Sequence, residues 1–178
     1  MPKTKRVNHH RLNEKETKRG GMEKNKKQFV TFEILEEKYG LPMCQIKEII
    51  RPKRITHVPN TDEYVLGVIN LRGQIVPVIN LKSRLNLKEG RQTDRGEERI
   101  IIAEINDVLT GINVEEVKEV VWLDENTIDP PPKVAGGVKR EYLTGVAQNE
   151  DELLVMVDLK ALLFGEQNTG DTPEKLEE

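Results

Sequence analysis

The stretch Val65–Leu81, VLGVINLRGQIVPVINL, decides the fold. Two runs rich in Val and Ile, Val65–Leu71 and Ile75–Leu81, flank the polar step Arg72-Gly73-Gln74. Branched side chains suit a pleated surface and both runs end quickly, so the pattern predicts strands and not a helix. Arg-Gly between them predicts a tight turn, with Gly73 supplying a positive φ at little cost. The expected unit is a β-hairpin, apolar at nearly every position, with one cation at its tip. A hairpin built for folding alone takes Asn-Gly or Asp-Gly there. Arg72 is therefore a candidate for interaction, set against the plainer reading of a solvated turn residue.

Around this hairpin the chain is polar. It has 178 residues, 36% hydrophobic and 33% charged, which allows one domain or two small ones. Residues 1–27 carry ten Lys or Arg against three Glu, so the remainder of the chain is acidic, at about −10 of the net −3. An acidic body argues against a phosphate-binding surface. The 1–27 segment has almost no apolar residues and predicts disorder. Within it Met22, behind Lys18-Arg19-Gly20-Gly21, is an alternative start. Cys44 is the single cysteine, which excludes an internal disulfide and suits a reducing compartment. No apolar run approaches the roughly 18 residues of a membrane span, and the N-terminus has no apolar signal core. The expected location is the cytoplasm.

Further strands are predicted at Gln28–Leu35 and Lys38–Pro42, turning at Glu36-Glu37. Gln45–Ile50 spaces Ile46, Ile49 and Ile50 by three and one, and by four overall, which predicts a short helix stopped by Pro52. Arg54–Val58 predicts a short strand and Leu81–Leu87 a helical turn. Lys88–Glu97 reads as a polar linker. Arg99–Ile105 and Val108–Val114 predict a hairpin about Asn106-Asp107, and Glu115–Val120 a second short helix. Trp122–Lys139 is irregular, with Pro130-Pro131-Pro132 extended. Tyr142–Gln148 and Leu153–Val157 predict a last hairpin, Lys160–Phe164 a last helical turn, and the acidic segment 165–178 a disordered tail.

The two halves repeat each other. Gly40–Ile50 aligns with Gly111–Val121 at an offset of 71, and Glu63–Leu85 with Glu141–Leu163 at an offset of 78. Two motif orders at one spacing predict a tandem of small β-units. Five short strands per unit predict small barrels, which remove free edges. The repeat also separates folding from interaction. Glu-Tyr-x-x-Gly and the apolar strand positions recur, whereas Arg72-Gly73 is matched by Glu150-Asp151. A turn at that place does not need Arg.

Catalytic patterns are missing. There is no phosphate loop, GxGxxG, GxSxG, HExxH or CxxC. His57, the one histidine outside the N-terminal segment, reads as structural. The carboxylate pairs Glu115-Glu116 and Asp151-Glu152 fall on an element start and a hairpin tip, both solvated positions. The sequence predicts no enzyme, no cofactor and no metal site.

The stretch Gly67–Leu81, GVINLRGQIVPVINL, resembles the CheW family, the coupling proteins of bacterial chemotaxis. Tyr39-Gly40-Leu41, Ile46–Ile49, Ile55–Asn60, Gly111–Val120 and Glu141–Gly145 support the resemblance, which covers about residues 28–164. It implies a mainly β fold of two packed five-stranded SH3-like barrels with short helices. It implies subdomains at about 37–90 and 99–164, with strand exchange between them allowed. It implies a non-enzymatic adaptor joining chemoreceptor signalling tips to the histidine kinase CheA, in arrays at the cytoplasmic face of the membrane, without insertion into it. By resemblance Ile46, Glu48 and Arg72 fall on the coupling surface of the first unit, and Val120, Ile100 and Ile101 on surfaces of the second. Glu48 and Arg72 are placed to pair. Glu116 and Asn80 depart from common family residues. The competing reading is a small-barrel nucleic-acid binder; the acidic body and 4% aromatic content argue against it.

Overall fold

A computed structural model describes residues 25–88, 96–133 and 138–165. The expected tails lie outside the described residues, except that the first strand already begins at Lys26 and that Gly165 ends the last helix. The first half contributes β1 (Lys26–Ile34), β2 (Glu37–Pro42), β3 (Ile46–Ile50), β4 (Val65–Leu71) and β5 (Gln74–Asn80), then α1 (Leu81–Arg84). The second half contributes β6 (Arg99–Ile105), β7 (Val108–Val114), β8 (Glu116–Asp124), β9 (Leu143–Asn149) and β10 (Glu152–Val157), then α2 (Leu159–Phe164). Short 3-10 turns precede β3 and β9 and follow β8.

The fold is mainly β, in two five-stranded sheets. One runs β8-β1-β2-β10-β9 and the other β3-β6-β7-β5-β4. Each sheet therefore takes two strands from one half of the chain and three from the other. Local hairpins supply β1–β2, β4–β5, β6–β7 and β9–β10; every other strand pair joins the two halves. The registers obey the repeat. Val30 opposite Val120 is matched by Ile101 opposite Ile49, and Gly40 opposite Met156 by Gly111 opposite Val78. In each sheet the segment after one edge strand reaches the other edge strand, through Thr56–Val68 and Asp129–Val146 bridges.

Three apolar clusters hold this arrangement. The largest takes Phe32, Ile34, Leu41, Ile79, Ile101 and Ile112 among others, from both sheets. A second, around Phe29, Leu123 and Leu154, belongs to the first sheet; a third, around Ile69, Val76 and Ile100, belongs to the second. Arg84 lies almost buried between the repeat-related Tyr64 and Tyr142, 4.3 and 4.9 Å from their ring centres. Its Nε donates to the Leu162 carbonyl at 2.7 Å, tying α1 to α2.

Two expected helices are strands. Ile46–Ile50 is β3, bonded to β6, and Glu116–Val120 lies in β8, bonded to β1. Both carry an extra residue in the ladder, between Ile46 and Glu48 and between Val117 and Val120. Such a bulge breaks the period-2 alternation and leaves apolar spacings that mimic a helix. Arg54–Val58 is not a named strand but a single bridge at Thr56.

Two repeated glycines now have a physical cause. A Cβ on Gly67 would lie 2.2 Å from the Thr56 carbonyl oxygen, and one on Gly145 would lie 2.5 Å from that of Asp129. Both sit where the bridging segment crosses the sheet edge, so the Glu-Tyr-x-x-Gly motif serves the fold twice.

Candidate protein-docking site

The central hairpin turns as expected, at Arg72-Gly73. Positive φ occurs at both positions, 52° for Arg72 and 85° for Gly73. This is the paired geometry of a two-residue hairpin loop, which follows the twist of the strands. Sequence reasoning assigned the left-handed backbone to Gly73 alone. Asn70 supports the loop: its Oδ1 accepts from the Gly73 N–H at 2.7 Å.

Arg72 extends from this tip to Glu48 on β3. Nη1 donates to Oε1 at 2.7 Å and Nη2 to Oε2 at 2.9 Å, a two-bond fork. The arginine side chain is 76% exposed and the carboxylate 25%. Hydrogen bonding to Glu48, then the charge of Glu48, raises the arginine pKa further. The bulge at Lys47 sets the direction of Glu48, and Lys47 itself pairs with Glu104 on β6. Beside the fork is a shallow hollow of about 350 Å³, lined by Glu48, Leu71, Arg72, Ile102, Asp107 and Leu109.

The repeat provides an internal control. The second half has the same bulge and the same hairpin, and the positions matching Glu48 and Arg72 hold Glu119 and Glu150. Glu150 adopts the same left-handed backbone, with φ 53°. Two carboxylates cannot form the fork, yet that half folds alike. The fork is thus an addition to the fold and not a requirement of it.

The apolar candidates divide. Val120 is 46% exposed on edge strand β8, and Ile46 is half-buried against the shared core. Ile100 and Ile101 are fully buried, so the expectation that they present a surface does not hold. β6 lies between β3 and β7, and its two faces point into different clusters, Ile101 into the shared core and Ile100 into that of its own sheet. The run Arg99–Ile105, apolar at consecutive positions, carried that signal: a strand covered on both faces does not alternate. Sequence reasoning missed Met43, Ile49 and Trp122, all exposed. Ile49 is the repeat equivalent of Val120, and reading β3 as a strand turns it outward.

The titratable groups offer little chemistry. His57 is exposed. Burial, then the nearby Glu37 charge, pushes the Tyr39 phenol up to about 12. Lys118 is held between Glu116 and Glu33, and its hydrogen bonds to them raise its pKa. Glu116, one departure from the family pattern, thereby has a structural task. Asn80, the other, caps α1 by accepting from the Ser83 N–H, as Asp158 caps α2 by accepting from Ala161. Among the described residues no group of three His, Cys, Asp or Glu could hold a metal ion. Among them, too, no helix is long and apolar enough to cross a membrane.

Residues 28–167 match the CheW-like domain. The chain belongs to the CheW family. It is 34% identical over 155 residues to the chemotaxis protein CheW of Bacillus subtilis, covering 85% of this chain and 96% of that protein. Against the CheW of Treponema pallidum it is 31% identical over 143 residues, 79% of this chain and 84% of the other. Its structure resembles that of the scaffolding protein TtCheW from Thermoanaerobacter tengcongensis, with a TM-score of 0.71 and 38% identity, covering 76% of this chain and 91% of that one. The family inferred from the NLRG hairpin is the one that the whole folded region matches, and it is a family of chemotaxis scaffold proteins.

Proposed function

We propose that this CheW-family protein is a non-catalytic adaptor that joins chemoreceptor signalling tips to the histidine kinase CheA at the cytoplasmic face of the membrane. The observation that carries the reading is the Arg72–Glu48 fork. It sits on an exposed hairpin tip, and the equivalent place in the other half folds without it. An exposed ion pair adds little stability. A guanidinium held in one orientation, however, presents its remaining N–H groups to a partner carboxylate with little loss of entropy. Ile49 on edge strand β3, Val120 on edge strand β8 of the other sheet, and Met43 in the turn before β3 are exposed, and each is apolar area that a partner helix could cover. Ile46, on the same strand as Ile49, is half-buried against the shared core. Ile100 and Ile101 are fully buried and form part of the cores.

Co-sedimentation with a receptor signalling fragment and CheA tests the reading. The wild-type chain is expected in the pellet only when both partners are present or when either binds it directly. Glu48→Ala should weaken capture, and combined with Arg72→Ala the loss should be less than additive, because the two side chains act as one unit. Recovery of the protein in the supernatant under all conditions would contradict it. So would tight binding to single-stranded nucleic acid at physiological salt, which belongs to the competing reading.

A further inference from the structure

The first sheet borders a hollow that the coupling role leaves unused. Tyr39 on β2, Val155 on β10 and Val146 on β9 stand side by side in register across three neighbouring strands. With Leu87 and Val138 they wall a cavity of about 360 Å³. Its size and apolar walls are those of a small-molecule site. Leu87 follows α1 in the first half of the chain, whereas Val138, Val146 and Val155 belong to the second, so the cavity lies where the halves meet. Two polar side chains reach it, Tyr39 and Glu37. Tyr39 is only 4% exposed, yet its hydroxyl has no hydrogen-bond partner among the described residues. A buried polar group without a partner is uncommon and costly. The fold does not demand it: at the repeat offset of 71, Tyr39 is matched by Thr110 and Glu37 by Val108.

We propose that this cavity binds a small neutral molecule, a mostly apolar body carrying one hydroxyl or carbonyl oxygen. The oxygen accepts from the Tyr39 O–H, and the body fills the space between Leu87, Val138, Val146 and Val155. Burial, then the Glu37 charge, pushes the phenol up to about 12, so at neutral pH it is a donor. Glu37 sets the charge preference. It is exposed and its charge is felt at the phenol, so an acid of the same shape would bring a second negative charge beside it. A neutral ligand also loses less hydration on entering apolar walls than a carboxylate does. A ligand of about ten heavy atoms with one hydrogen bond binds weakly, with a Kd on the order of 1 mM. The cavity shares no lining residue with the hollow beside the Arg72–Glu48 fork, so the site is independent of the adaptor reading.

The test is a methyl NMR titration of the full chain with benzyl alcohol, and with benzoate as the acid of matching size. Benzyl alcohol should shift the methyl signals of Leu87, Val138, Val146 and Val155 saturably. Tyr39→Phe keeps the ring and removes the hydroxyl, and should bind benzyl alcohol about tenfold more weakly, the loss of one buried hydrogen bond. Its urea midpoint shows whether it is folded. Benzoate should bind the wild type more weakly than benzyl alcohol, and Glu37→Gln should narrow that gap. Glu37→Gln changes an exposed side chain only, so it carries the test should Tyr39→Phe fail to fold. No saturable shift at these four residues overturns the proposal. So does equal affinity of folded Tyr39→Phe and wild type for benzyl alcohol, benzoate binding as tightly as benzyl alcohol, or a gap that Glu37→Gln leaves unchanged.

Discussion

At residue scale, Tyr39 shows how burial becomes a measurable property. Its phenol is pushed up to about 12 by burial and by Glu37. In the unfolded chain it titrates near 10, so the native state holds the proton over an interval in which the unfolded state has lost it. Stability from this group is complete below pH 10 and is lost as pH rises toward 12. Lysines that titrate in the same range contribute too, so the comparison must be with Tyr39→Phe. Urea unfolding between pH 9.5 and 11.5 should show a fall that is steeper in the wild type than in Tyr39→Phe. Two parallel curves would mean that the phenol reaches water. Arg72 is the opposite case. Its backbone already occupies the left-handed region, and alanine there meets the same steric cost as arginine. Its replacement should leave the urea midpoint close to the wild-type value, as is usual for an exposed side chain.

At the scale of elements, the strands with unbroken Val and Ile runs were legible because length and branching separate them from helix. The central hairpin, the β6–β7 hairpin and the final hairpin were all placed to within a residue or two. β3 and the start of β8 were not, because a bulge at each displaces the alternation, leaving Ile46, Ile49 and Ile50 at helix-like spacing. The same bulge aims Glu48 at Arg72, so the feature that hid the strand also builds the candidate site. That Glu48 and Arg72 belong together was legible from the resemblance and from opposite charge; the two-bond geometry was not. The glycines yield a ranked prediction. Gly67→Ala sets a Cβ against a backbone carbonyl at a φ of +137°, and should cost at least about 2–3 kcal/mol. Gly145→Ala meets backbone as well and should follow closely. Gly40→Ala meets only the flexible end of Met156 and should cost least, on the order of 1 kcal/mol. Thermal unfolding of the three variants checks the order; a Gly40 variant less stable than the Gly67 variant would contradict it.

At the scale of the whole molecule, the repeat was legible, and strand exchange between the halves was allowed by the resemblance, but which strands pair across the halves was not legible. Local patterns fix which residues form strands, but the bonding of β1 to β8 and of β2 to β10 is decided by pairings between residues far apart in the chain, such as Glu33 with Glu116 and Tyr39 with Val155. Because each sheet needs both halves, the chain should unfold in one step. Calorimetry should give a single transition whose calorimetric and van't Hoff enthalpies agree; two resolved transitions would mean that the sheets are independent. The central claim, that the Arg72–Glu48 fork serves coupling and not folding, is tested most directly by a reconstituted kinase assay with receptor fragment, CheA and either wild-type or Arg72→Ala protein. Losing a charge-assisted bond to a partner corresponds to roughly a tenfold or greater fall in affinity. The account predicts that Arg72→Ala, folded and as resistant to urea as wild type, needs at least about ten times more protein to activate the kinase. A stable variant that activates the kinase at wild-type concentrations would contradict it.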